Sequence, residues 1–179
     1  SDIPVELQSR PRWVLWQWEQ RPDKTTGELK WTKPPYQPNG IRAESDNPNT
    51  WVSFEKAKAA HERGSFSGLG YMLTVDTEAT DRHPAMVDDG IAGVDLDHVV
   101  DPETGAIQPW AQLIVDRLCS YTEISPSGAG LRIFVYAQLP PKDRKLGHFE
   151  CYESSRYLTV TGNHLPGTPP HHRASPKRN

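Results

Sequence analysis

The chain has 179 residues, a net charge of −3, 24% charged residues and 35% hydrophobic residues. This composition indicates a soluble globular protein with one full domain or two small ones. No apolar run is long enough to span a bilayer, and the N-terminal segment lacks the apolar stretch of a signal peptide. Cys119 and Cys151 lie too far apart for a Cys-x-x-Cys motif, which excludes a zinc knuckle and a disulfide framework. A reducing cytoplasm is therefore the expected compartment.

The first 67 residues are predicted to form a small αβ lobe. Residues 13–18 are apolar and aromatic, which predicts a buried strand, and residues 29–36 are expected to return as its partner. Residues 49–64 are predicted to be a helix that is capped by Thr50 or Ser53. The tryptophans of this segment are expected to form the core of the lobe, and they are Trp13, Trp16, Trp18 and Trp31.

Residues 68–165 are predicted to form a sheet with helices on one face, which makes the fold α+β. Its strands are expected at the apolar runs of residues 68–75, 91–100, 121–125, 131–137, 148–152 and 156–162. The acidic segment 76–90 lacks apolar periodicity and is expected to be a loop or hairpin. Pro109 begins a predicted helix. The buried side of this helix is predicted to consist of Trp110, Leu113, Ile114 and Leu118.

The last residues, 166–179, are polar and rich in proline and histidine, so they cannot support a core. They are predicted to be a linker toward a downstream domain, and the chain is interpreted as a fragment of a longer protein. The His171-His172 pair in this tail is interpreted as linker rather than as a metal site.

Asp95 and Asp97 are the first candidate for a functional site. Residues two apart in a strand point to the same face about 7 Å apart, and two carboxylates at that spacing repel each other. A hard divalent cation such as Mg²⁺ or Mn²⁺ is the usual way to neutralise such a pair, and two ions suit phosphoryl transfer. An acidic turn after the strand, without a metal, is the alternative.

The turn between residues 125 and 132 is the second candidate. Glycines and serine hydroxyls can direct donors toward an anion, and an arginine offers a fork suited to phosphate. The residues predicted to bind a triphosphate here are Ser125, Ser127, Gly128, Gly130 and Arg132. An ordinary hairpin with Arg132 in solvent is the alternative. The turn is not a Walker A loop, because no Gly-Lys-Ser/Thr closes it.

The predicted strand around Glu150 is the third candidate. An acid on a neighbouring strand would complete a two-metal site, and Arg156 would meet phosphate or the carboxylates. An edge strand with a solvated polar face is the alternative. Earlier in the chain, bases and aromatic residues mix as they do in proteins that bind single strands. These residues are Lys30, Trp31, Lys33, Tyr36 and Arg42.

Taken in this order, the three motifs resemble the primase-polymerase domain of phage, plasmid and mobile-element replication proteins, in the archaeo-eukaryotic primase superfamily. The matching segments are GVDLDH, SPSGAGLR and FECYESSRYLTVTG. Residues 12–40 also resemble the family's N-terminal lobe, so the similarity spans roughly residues 10–165. The chain departs from the family at Arg132, where the family commonly has His.

The resemblance implies a sheet like that of the RNA-recognition motif, a smaller N-terminal αβ lobe, and template-directed nucleotidyl transfer by a DNA primase or DNA polymerase. Asp95 and Asp97 would hold two Mg²⁺ or Mn²⁺ ions, and Glu150 would support the ion that activates the 3′-hydroxyl. Ser127 and Arg132 would grip the incoming NTP or dNTP. Lys33 and Arg156 would contact nucleotide or template phosphates. The implied partners are a single-stranded DNA template and a helicase domain that follows in the full-length protein.

Two other functions remain open from the sequence. An inactive single-stranded DNA or origin-binding module on the same fold would need no metal, and three acids on converging strands argue against it. A metal-dependent nicking nuclease would need a tyrosine nucleophile beside a His pair. The sequence places His148 near Tyr152 but shows no second His beside them.

Overall fold

The computed structural model describes residues 2–141 and 144–171 and contains three α-helices and eleven strands within these ranges. The helices are α1 (Val5–Gln8), α2 (Phe54–Glu62) and α3 (Pro109–Leu118), and a 3-10 helix lies at Pro48–Thr50. The strands are β1 (Trp13–Trp16), β2 (Glu19–Pro22), β3 (Leu29–Thr32), β4 (Pro35–Tyr36), β5 (Gly68–Leu73), β6 (Ile91–Leu96), β7 (Thr122–Ile124), β8 (Leu131–Tyr136), β9 (Lys145–Leu146), β10 (Phe149–Tyr152) and β11 (Arg156–Val160).

Two antiparallel sheets form the body of the molecule, which confirms the predicted α+β class. The first sheet has the strand order β11-β5-β1-β4, and the second sheet has the order β7-β8-β6-β10-β9. β2 and β3 pair only with each other and form a separate hairpin. Because β5 and β11 pair with each other and β5 also pairs with β1, the strand pairing of the first sheet crosses the predicted boundary after residue 67.

The two sheets pack face to face, and α3 covers the outer face of the second sheet. One core cluster lies between the sheets and includes Tyr71, Phe134 and Leu158. Another joins the second sheet to α3 and includes Val94 and Val115. Since side chains alternate along a strand, β6 sends its even-numbered apolar residues to α3 and its odd-numbered residues toward the first sheet.

The central strand β6 approaches the first sheet closely at Gly93. A Cβ atom at this position would lie 2.0 Å from Leu158 Cδ1 and 3.2 Å from Leu73 Cδ1, both in the first sheet. Only a residue without a side chain fits between these two leucines. Gly93 therefore sets the spacing of the two sheets two residues away from Asp95.

The predicted buried side of α3 is wrong in its first half. The helix buries Ala111 and Val115, whereas Trp110 and Leu113 are 38% and 69% exposed. A small residue such as Ala111 lets the helix backbone lie near the sheet, and this rotates the bulkier residues outward. None of the helices in the described ranges is long and apolar enough to cross a membrane.

The tryptophans of the N-terminal segment divide into two groups, so the prediction that all four form a core is wrong. Trp13 and Trp16 are buried, but Trp18 and Trp31 are 42% and 62% exposed. Trp18 follows the end of β1, and Trp31 lies on the hairpin, which joins neither sheet. The predicted return strand is also split, because β3 pairs with β2 while the short β4 pairs with β1.

One of the two N-caps predicted for α2 is confirmed. Of the two predicted caps of α2, Ser53 is the N-cap, and its hydroxyl accepts a hydrogen bond from the Lys56 N–H. The acidic segment 76–90 contains an isolated bridge between Thr77 and Met86, which is the pairing of a loose hairpin. The tail prediction for residues 172–179, including His172, lies outside the described residues.

Candidate active site

A row of charged side chains crosses the second sheet on the face toward the first sheet. Asp95 of β6 lies opposite Arg132 of β8 on one side and opposite Glu150 of β10 on the other. The row ends at Glu123 of β7, opposite Arg132, and at Lys145 of β9, opposite Glu150. Residues directly opposite each other in antiparallel strands share a face, with Cβ atoms about 5 Å apart. Each strand of this sheet therefore contributes one charged residue to a single line.

Arg132 is the buried cation of this row and lies between Glu123 and the central Asp95. The residue is only 5% exposed, its guanidinium pairs with the Asp95 carboxylate, and its Nη1 atom lies 4.0 Å from Asp97 Oδ1. The alternative with Arg132 in solvent is therefore wrong. Arg132 Nε is buried without a hydrogen-bond partner in the part of the chain that the structure describes.

Asp95 lies in an environment that disfavours its charge. Burial raises the pKa of its carboxyl group from 3.8 to about 6, and the neighbouring Asp97 carboxylate adds to this rise, while the Arg132 charge opposes it. Asp97 itself follows the end of β6, and its side chain is 49% exposed. A bound cation beside both carboxylates would offset the cost of the buried charge.

Glu150 has two cationic neighbours. Lys145 pairs with its Oε1 atom, and Arg156 Nη1 lies 3.5 Å from its Oε2 atom. The Arg156 guanidinium also lies over the Tyr152 ring, 4.2 Å from the centroid. Since β10 pairs with both β6 and β9, the alternative of an edge strand is wrong.

A cleft of about 270 Å³ lies between the two sheets at this row. Its lining residues are Lys33, Asp95, Arg132, Arg156, Tyr157, Leu158 and Thr159. Lys33 is held there because the Tyr157 hydroxyl donates a hydrogen bond to its carbonyl oxygen. Burial lowers the pKa of the Lys33 ammonium group, and the nearby Arg132 charge lowers it further. Three cations thus converge on one cleft, and an anionic ligand would relieve their mutual repulsion.

The turn that was predicted to cradle phosphate uses its own donors internally. The N–H of Gly128 donates to Ser125 O at 2.9 Å, and the N–H of Gly130 donates to Ser125 Oγ at 3.1 Å. The N–H of Ala129 donates to Ser127 Oγ at 3.3 Å. The Ser127 hydroxyl is exposed but also shares a hydrogen bond of 3.1 Å with Ser125 Oγ. A cradle for phosphate would require these bonds to change.

Gly130 has a different role, because it allows the backbone of the turn to lie close to β6. A Cβ atom at this position would lie 2.8 Å from Leu96 O, and that backbone atom cannot move aside without shifting β6. The glycine therefore lets the turn close against the strand end that carries Asp97.

The predicted nucleic-acid-binding residues do not gather at the cleft. Tyr36 is buried, its hydroxyl donates to Glu19, and the Arg42 guanidinium covers its ring at 4.4 Å. Arg42 also pairs with Glu19 at 2.7 Å, and Lys30 pairs with Asp23 at 2.6 Å on the hairpin. Among the basic and aromatic residues singled out in this segment, Lys33 is the one that lines the cleft.

The structure also brings together side chains that are distant from each other in the sequence and that the sequence analysis did not place side by side. Within the described ranges, the metal-ligating atoms of Glu44, Asp46 and His83 all lie within 4.8 Å of one another, on loops outside the cleft. The rings of His98 and His148 lie 5.6 Å apart, so the statement that His148 has no second His nearby is wrong. These two histidines are adjacent because β6 ends beside the start of β10.

Glu123 is the buried residue of the row that the sequence analysis missed. Its carboxylate accepts hydrogen bonds from the Tyr121 hydroxyl at 2.9 Å, the Thr161 N–H at 2.8 Å and the Gly162 N–H at 3.0 Å. Burial raises the pKa of this carboxyl group, and these donors oppose the rise. Glu123 thereby attaches β7 to the end of β11. The signal that could have identified Glu123 in the sequence is its position as a single acid within the apolar segment YTEIS.

Glu123→Gln is expected to destabilise the protein by about 1–3 kcal/mol, because the amide nitrogen cannot accept the hydrogen bond that a carboxylate oxygen accepts. Urea denaturation at neutral pH measures this change in the free energy of unfolding. Glu78→Gln, at an exposed position, serves as the control and should leave the unfolding midpoint unchanged. Equal stability of both variants would contradict the role assigned to Glu123.

Similarity to known proteins supports the interpretation of this site. No protein-family profile matches the chain. The chain is similar to a curated DNA primase-polymerase over nearly its whole length, which confirms the resemblance to a primase-polymerase domain that the three motifs predict. That relative is the DNA primase-polymerase of Nitratiruptor phage NrS-1, and it is 35% identical over 175 residues. The match covers 93% of this chain but 21% of the relative's own length.

Proposed function

We propose that this chain is the catalytic domain of a DNA primase-polymerase, which joins nucleotides on a single-stranded DNA template. The observation that carries this proposal is the aligned row of Arg132, Asp95 and Glu150 beside a cleft that Lys33 and Arg156 also border. Acids that suit divalent ions thus adjoin cations that suit a triphosphate. The name of the phage relative supports this function.

The carboxylates fit a pair of divalent ions. Asp95, Asp97 and Glu150 would hold Mg²⁺ or Mn²⁺, since all three offer the oxygen ligands that these hard cations prefer. When bound, the ions lower the pKa of the attacking 3′-hydroxyl and neutralise the charge of the leaving pyrophosphate. Without them, Arg132, Lys145 and Arg156 balance the same carboxylates.

The cations of the cleft would bind the phosphates of the incoming NTP or dNTP. Arg132 has a fork suited to a phosphate and a buried Nε atom without a partner in the described structure. Lys33 and Arg156 enter the same cleft from the first-sheet side. Ser127 would add a hydroxyl donor from the turn.

We also propose the setting of this activity. Residues 68–165 would form the core like an RNA-recognition motif and residues 1–67 the N-terminal lobe, with the first sheet shared between them. Residues 166–179 would be the linker toward a helicase domain. The protein would act in the cytoplasm of a prokaryote during the replication of a phage, plasmid or other mobile element, as the source of its relative suggests.

One observation favours a second function, an inactive DNA-binding module. The Arg132 guanidinium already neutralises Asp95, so this site balances its central acid without a metal. A nicking nuclease is less well supported although His98 and His148 are neighbours. Tyr152 lies four residues along β10 from His148, which corresponds to about 13 Å, and its hydroxyl accepts a hydrogen bond from Arg156.

The test is a nucleotide-incorporation assay on the whole chain. The protein is incubated with single-stranded template, labelled dNTPs or NTPs, and Mg²⁺ or Mn²⁺, with and without an annealed primer. We expect products that require the metal and disappear with a chelator, and the unprimed reaction separates initiation from extension. Bound template without any product would favour the binding module, and a shortened template would favour the nuclease.

A further inference from the structure

Trp18 and Trp31 form an exposed aromatic surface outside both sheets. Their ring centroids lie 6.3 Å apart at an interplanar angle of 83°, and the two indoles line a hollow of about 320 Å³. Neither residue belongs to a core cluster of the described structure. Large apolar side chains that are exposed together, rather than singly, mark a binding surface.

This aromatic surface is continuous with the cleft through Lys33. The Lys33 ammonium nitrogen lies 5.0 Å from the Trp18 ring centroid, and Lys33 lines the cleft together with Asp95 and Arg132. On its other side, Trp18 borders a larger cavity of about 560 Å³ that reaches Pro126 of the predicted phosphate-binding turn. Lys33 therefore adjoins both the aromatic surface and the candidate active site.

We infer that Trp18 and Trp31 stack the unpaired bases of single-stranded DNA, with Lys33 facing the adjoining phosphate. This inference rests on the proposed function and adds the place where the template leaves or enters the cleft. Stacking on aromatic rings beside a cation is how proteins hold single strands without reading their sequence. Because the rings are nearly perpendicular, one indole can stack on a base while the other rests against its edge.

The chemistry of the surroundings favours a nucleic acid over an apolar protein segment as the occupant. The hairpin that carries Trp31 also carries Arg21 and Lys30, whose side chains are 48% and 59% exposed and pair with Glu19 and Asp23 of the same hairpin. Exposed pairs of this kind are weak, so either base can turn to a phosphate, and Lys33 is the cation that already lies beside an indole. An interface core for a protein partner would instead be depleted of such charges.

Trp31→Ala is the decisive variant, since Trp31 is the more exposed ring and lies outside the packed sheets. Binding of fluorescently labelled oligothymidylate is measured by anisotropy, without metal or nucleotide. We expect the dissociation constant to rise about ten- to a hundredfold. Trp31→Phe, which keeps an aromatic face, should recover most of the affinity. Leu113→Ala, which alters an exposed apolar side chain on α3, should bind like the wild type.

Unchanged binding by Trp31→Ala, or equal weakening by Trp31→Ala and Trp31→Phe, would overturn the stacking surface. A wild-type chain that does not bind the oligonucleotide would overturn it as well, and the two indoles would then fit a protein partner. The incorporation assay separates this failure from that of the proposed function. A chain that extends primers while Trp31→Ala binds normally keeps its polymerase function and loses only the stacking site.

Discussion

Asp95→Asn is expected to lower the rate of nucleotide incorporation by about a thousandfold or more. Asp95 lies opposite both Arg132 and Glu150, so its carboxylate is the point where the acids and cations of the site meet. Asparagine keeps the shape of the side chain, and its carbonyl oxygen can still accept a hydrogen bond from Arg132, but it supplies no negative charge. The initial rate of primer extension with Mn²⁺ measures the loss.

Two further variants make this result specific. Glu150→Gln removes a second acid of the site, so activity should fall steeply. Thermal stability should change little, because the partner Lys145 is 71% exposed. Asp116→Asn, at an exposed position of α3 on the opposite side of the second sheet, should keep wild-type activity. Wild-type rates in both Asp95→Asn and Glu150→Gln would contradict the assignment of the site.

Arg132→Ala is expected to have the largest effect on stability, a loss of about 3–5 kcal/mol. The side chains of Arg132 and Asp95 are 7% and 14% exposed, so truncating the arginine leaves a carboxylate in the interior without its partner. Part of the cost will be avoided because Asp95 can bind a proton, and its pKa should rise above the present value of about 6. Urea denaturation at neutral pH measures the change.

The matched control for this variant is Arg156→Ala. Arg156 also pairs with an acid of the row, but its side chain is 52% exposed and its Nη1 atom is 3.5 Å from Glu150 Oε2. A solvated pair of this kind contributes at most about 1 kcal/mol. If Arg132→Ala cost no more than Arg156→Ala, the buried pair would not stabilise the fold as inferred.

The strands of the site were predictable because their signals are local. The apolar run that contains Asp95 forms β6, and the runs that contain Arg132 and Glu150 form β8 and β10, its two neighbours. The order of the three motifs resembled that of a known family, and this resemblance predicted that their residues form one site. The α+β class followed from the same run of strands and helices.

The contacts within the site were not predictable, because they depend on which residues face each other across strands. A shift of the register by one residue would send Glu150 to the opposite face of the sheet, and the register is selected by burial of the sheet's faces in the folded protein. For the same reason the pairing of Arg132 with Asp95 and the meeting of His98 with His148 appear only in the structure. Trp31 was misassigned to a core because its hydrophobicity does not reveal that β3 leaves the sheet.

The chain passes directly from one wall of the cleft to the other between β10 and β11. Tyr152 ends a strand of the second sheet and Arg156 begins a strand of the first, so four Cα steps of at most about 14 Å join the walls. The backbone itself therefore acts as a strap that limits the width of the gap at Arg156. Because packed sheets lie about 10 Å apart, this connection lets the walls separate by only a few ångströms at Arg156.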